Sequence, residues 1–190
     1  MRMLLRPAAE FDLARRLREG AATLGEAFEF TSGLYFRGKL LYARTFARPP
    51  DGVPGVLVIA PGAGLVPAEA PVDAAQLVRL GKVPVDAADR RFREPLEDSA
   101  RLVLRALPTR GEIVLLGSIA SAKYVDPLLG VFGERLLFPP SFVGRGDMSR
   151  GGLLLRSARA GTELEYAKVQ GAARHGPRPP RLPRLPRRSG

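Results

Sequence analysis

The sequence predicts an α/β fold: a mostly parallel sheet flanked by helices, with a C-terminal β-hairpin. Three observations predict it. Residues 56–60 (VLVIA) and 112–116 (EIVLL) are short aliphatic and β-branched runs, the pattern of strands buried on both faces. Between them Leu96, Ala100, Val103, Leu104 and Leu107 recur at helical spacing, and Pro108 ends the run. Near the C-terminus, residues 153–159 and 162–169 flank Ala160 and Gly161, a hairpin signal. Strands alternating with helices imply right-handed crossovers and a parallel sheet.

The elements follow in order. Residues 8–19 carry Phe11, Leu13 and Leu17 on one side and stop at Gly20, a short amphipathic helix. Residues 26–31 alternate weakly, as a short strand does. Residues 33–48 read as a helix striped by Leu34, Leu41 and Phe46, with Tyr42 beside the stripe; Pro49 and Pro50 end it. A hairpin turning at Arg37 and Gly38 is the competing reading of that segment. Strand 56–60 leads into a glycine- and proline-rich loop, 61–67. Residues 73–81 and 96–107 are helices. After strand 112–116, Gly117 and Ser118 turn the chain, and 119–124 begin another helix. Residues 135–138 form a third strand, ended by Pro139 and Pro140.

A chain of 190 residues fits one domain, placed at residues 1–170. From Gly171 onward the sequence is mainly glycine, proline and arginine, with two isolated leucines. Such a segment buries too little apolar surface to offset its ordering entropy, so 171–190 are expected to be disordered. No stretch is long and apolar enough for a signal peptide or a membrane helix, so a cytoplasmic protein with no membrane partner is expected.

Charge is uneven. The chain carries 26 arginines and 4 lysines at a net charge of +11, and six of the arginines fall in 171–190 with no acid among them. Arg174, Arg178, Arg181, Arg184, Arg187 and Arg188 are candidate contacts to an RNA or DNA backbone. The Pro-x-x-Pro repeats there also resemble ligands of proline-binding grooves. A bias toward Arg, Ala, Gly and Pro is equally the mark of a GC-rich bacterial genome, which explains a basic composition without a partner.

The sequence excludes several chemistries. It has no cysteine, hence no disulfide, thiolate metal site or cysteine nucleophile. Its one histidine, His175, lies in the C-terminal segment, which leaves no Ser-His-Asp triad or histidine metal site in the body. No metal or cofactor is implied. Catalysis would fall to Asp, Glu, Lys, Tyr, Ser or Arg.

Open parallel sheets bind ligands beyond the carboxyl ends of their strands. Here those ends are 60–67, 117–124 and 139–150. The first, APGAGLVP, offers backbone amides to an anion or is a plain turn. In the second, Ser118 would cap the following helix, with Lys123 and Tyr124 near the same end. The third sets Arg145, Asp147, Ser149 and Arg150 among four glycines. Two arginines suit a phosphate or carboxylate, and Asp147 is the candidate general base. A simple ion pair of Asp147 with Arg145 or Arg150 is the alternative.

Two resemblances bear on function. TSGLYFRGKLLYA (31–43), followed by VLVIAPGAGLVP (56–67), resembles a small bacterial α/β domain related to archaeosine-type tRNA-base-modifying enzymes. That domain carries a Lys-Tyr-Gly-Leu-like turn where this chain has Gly-Ala-Gly-Leu. IVLLGSIASA (113–122) and FPPSF (138–142) are similar to the strand–helix unit and His-Pro-Ser loop of uracil-DNA glycosylases, without their histidine. Neither resemblance transfers a catalytic residue. Together they imply a nucleic-acid-associated protein that recognises or acts on a nucleobase or nucleotide-like small molecule in the strand-end crevice. The alternative is a non-catalytic interaction protein that docks on RNA, DNA or a protein through its basic tail.

Overall fold

The computed structural model describes residues 3–6, 8–180 and 182. The described residues are 48% helix and only 11% strand, which overturns the mostly parallel sheet expected from the sequence. Its strands form two two-stranded antiparallel pairs and one mixed three-stranded sheet, in which a single pair is parallel.

Helix α1 spans Asp12–Arg18 and leads through strand β1, Ala22–Thr23, into the long helix α2, Leu24–Phe46. Residues 26–31, expected as a strand, are instead the first turns of α2. Thr23 and Glu26 close a capping box: the Glu26 amide donates to Thr23 Oγ1 at 3.3 Å, and the Thr23 amide donates to Glu26 Oε2 at 2.8 Å. Two donors at the helix start are satisfied in this way. Helix α2 is bent at Gly33, whose φ of 69° and ψ of −157° lie outside the helical region. Only glycine adopts that backbone at little cost, so the bend is fixed in the sequence.

Strand β2, Leu57–Ala60, turns directly into β3, Gly64–Pro67. The loop expected at 61–67 is therefore half strand, and the pair is antiparallel with Ile59 opposite Leu65. Burial alternates along β2, as in a strand with one covered face. After the short strand β4, Pro71–Val72, which pairs with β1, come helices α3, Ala74–Leu80, and α4, Arg90–Ala106. Gly64 lies so close to the Pro95 carbonyl of α4 that no side chain would fit, and Ser99 Oγ accepts the Leu65 amide at 2.7 Å.

The one parallel pair joins β5, Ile113–Val114, to β6, Leu136–Phe138, across helix α5, Ala122–Phe132. Strand β7, Ala167–Lys168, completes this sheet antiparallel to β6. The C-terminal β-hairpin does not form. Residues 147–160 are helix α6, Asp147–Ala160, and Gly161 is its C-cap at φ 63° and ψ 21°. A left-handed glycine serves a hairpin turn or a helix stop equally well, so Ala160 and Gly161 alone could not separate them. Burial decides it: Arg150, Gly151, Leu154, Leu155 and Ser157 are buried, a helical and not an alternating spacing.

Helices α2 and α6 cross at two glycines. A Cβ on Gly38 would sit 2.7 Å from the Gly151 carbonyl oxygen, and one on Gly151 would sit 2.8 Å from Tyr35 Cα. The two backbones therefore touch. Tyr42, Phe142 and Leu154 fill the space beside the crossing and are almost fully buried. Each apolar side chain of that size contributes about 1.5–3 kcal/mol when removed from water.

Of the segment 171–190, residues 171–180 and 182 are described. Ala172 packs on the core around β6, Arg174 pairs with Asp126 of α5 at 2.8 Å, and Gly176 approaches Val143. Arg181, Arg184, Arg187 and Arg188 lie outside the described residues. Among the described residues, no helix is long and apolar enough to cross a membrane.

Candidate functional site

The bend in α2 and the α2–α6 crossing leave a cleft of about 1360 Å³ between α2, β2, β5 and the start of α6. Its walls are mainly apolar: Phe36, Phe46, Val58, Ile59, Leu115 and Leu128 are among them. Polar groups gather at its two ends.

At one end stand Tyr35 and Lys39 of α2, Tyr124 of α5 and Asp147 of α6. Tyr35 and Lys39 are one helical turn apart on one face. Lys39 Nζ lies 4.1 Å from the centre of the Tyr35 ring. The phenols are anchored behind it: Tyr35 Oη donates to the Leu116 carbonyl at 3.3 Å, and Tyr124 Oη donates to the Ser118 carbonyl at 3.1 Å. Arg150, only 8% exposed, stands beneath Asp147. Its Nη1 donates to Asp147 Oδ1 at 3.1 Å and its Nε to the Phe142 carbonyl at 3.2 Å. Among the described residues, Lys39 has no carboxylate within ion-pair distance.

These surroundings set the electrostatics. Burial among apolar walls pushes the Lys39 ammonium down from 10.5 to about 8; Asp147 pulls it back up, and Arg150 pushes it further down. At pH 7.5 about a quarter of the Lys39 amines are then neutral, against roughly one in a thousand at the ordinary value. Burial raises the Tyr35 and Tyr124 phenols above their ordinary value, so both remain protonated donors at neutral pH.

At the other end is a chain of hydrogen bonds. The Leu164 amide donates to Tyr42 Oη at 2.9 Å. Tyr42 and Tyr166 are 2.6 Å apart, and Tyr166 donates to Glu163 at 2.9 Å. Glu163 also accepts from Arg48 at 3.0 Å. This end is internally satisfied, whereas the Lys39 end offers an amine with no anionic partner.

The residues singled out from the sequence separate in space. Asp147 and Tyr124 line the cleft, and Arg150 supports Asp147 from behind. Ser118 contributes its carbonyl to Tyr124, while its Oγ accepts the Ala120 amide at 3.4 Å; the cap of α5 is Ser121. Lys123 is exposed, outside the cleft lining. Arg145 and Ser149 bond to each other at 3.2 Å, and Arg145 turns to the carbonyls of Ser141 and Pro180. Asp147 and Arg150 form the ion pair that was the alternative reading. In the 60–67 segment the Ala63 amide is bonded to the Ala60 carbonyl and the Leu65 amide to Ser99 Oγ. Arg174 pairs with Asp126, and Arg178 is exposed. Among the described residues no group of His, Cys, Asp or Glu is placed to hold a metal ion.

Sequence reasoning missed Tyr35 and Lys39. The signal was present: Tyr35, Gly38, Lys39, Tyr42 and Phe46 share one face of the helix at 33–48. The stripe was drawn through Leu34 and Leu41 because they are aliphatic, yet Leu41 is 40% exposed. No family model, curated protein or solved structure matches this chain.

Proposed function

We propose that the chain binds a small organic molecule in the α2–β2–β5 cleft, with its apolar or aromatic body along the walls and an anionic or carbonyl head at Lys39. The carrying observation is a largely apolar cleft of about 1360 Å³ that brings Tyr35, Lys39, Tyr124 and Asp147 into one lining, the usual form of a ligand site. Tyr35 and Tyr124 are fixed there by the Leu116 and Ser118 carbonyls and wall the end, and Lys39 supplies charge or, when neutral, a lone pair. A nucleobase or nucleotide belongs to this ligand class: a planar body with a carbonyl in several of the bases and an anionic phosphate in the nucleotide. That version also draws on the resemblances to base-modifying and base-excising enzymes.

The test is a fluorescence titration with 1-anilinonaphthalene-8-sulfonate, an aromatic anion, followed by competition with decanoate, benzoate and AMP. Saturable binding at one site, displaced by at least one competitor, supports the reading. Ala43 lines the cleft, so Ala43→Trp should abolish the signal while far-ultraviolet circular dichroism is unchanged. Absence of saturable binding, or binding untouched by Ala43→Trp, refutes it.

A second reading has nucleic acid bound along the C-terminal arginines. It is supported by six arginines without an acid in 171–190 and by the exposure of Arg178, which has no ion-pair partner among the described residues.

A further inference from the structure

We propose that Lys39 is a nucleophilic amine that forms a reversible imine with an aldehyde or ketone held in the cleft. This inference rests on the cleft being a ligand site and goes beyond it by naming the reactive atom and the carbonyl class.

Four observations support it. Lys39 Nζ faces the cleft and lies on the ring of Tyr35, which holds it within about 4.1 Å of one spot. No carboxylate pairs with it among the described residues, so no ion pair holds it in the ammonium form. The walls are apolar, which disfavours the ammonium form and raises the share of neutral amine at neutral pH. Tyr35 and Tyr124 stay protonated beside the amine, so no phenolate stands there to stabilise its ammonium form.

The step balances without a cofactor. The neutral Nζ gives its lone pair to the carbonyl carbon, forming a C–N bond as the C=O π pair moves to oxygen. Oxygen gains a proton and nitrogen loses one to water, giving a carbinolamine. A further proton, taken from the solvent, converts the carbinolamine hydroxyl to water, which leaves as the nitrogen lone pair forms C=N, and a protonated imine remains. Water addition reverses the sequence.

The chain has only four lysines, Lys39, Lys82, Lys123 and Lys168, which makes the test clean. The full-length protein is incubated with cinnamaldehyde and sodium cyanoborohydride at pH 7.5, and adducts are located by peptide mapping. Lys39 should be modified at least about tenfold faster than each of the other three. The larger neutral fraction outweighs the lower nucleophilicity of a weaker base. Ala43→Trp, which fills the cleft one helical turn from Lys39, should remove that preference, and Lys39→Met should abolish the adduct at that position. Modification of Lys39 at or below the rate of Lys82, Lys123 and Lys168 overturns the proposal. If the naphthalene sulfonate still binds saturably in that case, the imine fails and the ligand site stands; if it does not, both fail.

Discussion

Replacing Gly38 with alanine tests the geometry on which the cleft depends. In a free helix this change stabilises, because alanine exceeds glycine in helix propensity by about 1 kcal/mol. Here the new Cβ would lie 2.7 Å from the Gly151 carbonyl oxygen and 3.1 Å from its Cα, where ordinary contact begins near 3.4 Å. Neither atom is the tip of a flexible side chain, so α2 and α6 must part by about 0.7 Å locally. Forcing a methyl group into a packed interface costs about 1–3 kcal/mol. After the propensity gain, Gly38→Ala should destabilise by about 1 kcal/mol, a fall in Tm of about 2–4 °C for a chain of this size. Gly130 is the internal control. It lies in α5 with nothing within 4 Å of its would-be Cβ, so Gly130→Ala should stabilise by about 0.5–1 kcal/mol. Thermal melts followed by circular dichroism at 222 nm compare the two variants directly. If Gly38→Ala stabilises as Gly130→Ala does, the helix backbones are not in contact and the reasoning is refuted.

Three further outcomes are expected. Lys39 has its folded-state value depressed, so the unfolded chain binds more protons than the native one between about pH 8 and the ordinary lysine value; stability should rise with pH from 8 to 10, and Lys39→Met should flatten that rise in a Tm–pH series. Glu26 is held down to about 2, first by Arg16, which bonds both its oxygens, so its contribution is complete above pH 4.5 and lost as pH falls toward 2; Glu26→Gln should lessen the acid-side loss of Tm in that window. If the C-terminal segment binds single-stranded RNA, six neutralised phosphates give a log–log salt slope of about −4 at most, and a chain ending at residue 170 should lose that binding; binding absent at ~50 mM salt removes the segment from the account.

Much of the local structure was legible, and the architecture was not. The helix at 73–81 and the strand at 56–60 stand close to where periodicity put them; the helix expected at 96–107 ends at its proline stop but begins at Arg90, six residues earlier, with Pro95 inside it. The parallel sheet failed because aliphatic runs report burial and not pairing. Leu57–Ala60 turns back at once through Gly62 to pair with Gly64–Pro67, so no helical crossover intervenes. The hairpin at Ala160 and Gly161 failed because a left-handed glycine ends a helix as readily as it turns a strand. The capping box of Thr23 and Glu26 was readable and would have corrected the strand placed at 26–31. Asp147, Arg150 and Tyr124 were chosen from the sequence and do meet at the cleft end. Arg145 and Ser149, equally dense in the same stretch, bond to each other instead: Arg145 precedes α6 and turns to the Ser141 and Pro180 carbonyls, and Ser149 sits two residues round the helix from Asp147. Lys39 was invisible as long as glycine was left out of the packed face: Gly38 marks the α6 crossing, and its neighbour is carried to the rim of that crossing.

The central claim is that Lys39 lies in a cleft dry enough to hold a neutral amine near physiological pH. Its most direct test is an NMR titration of the protein labelled with ¹³C-lysine, following the Cε signal of each of the four lysines from pH 6 to 11. The account predicts that one signal, assigned by its loss in Lys39→Met, titrates near 8. A Lys39 signal that titrates above 10 would mean a water-filled surface groove, and would contradict the account.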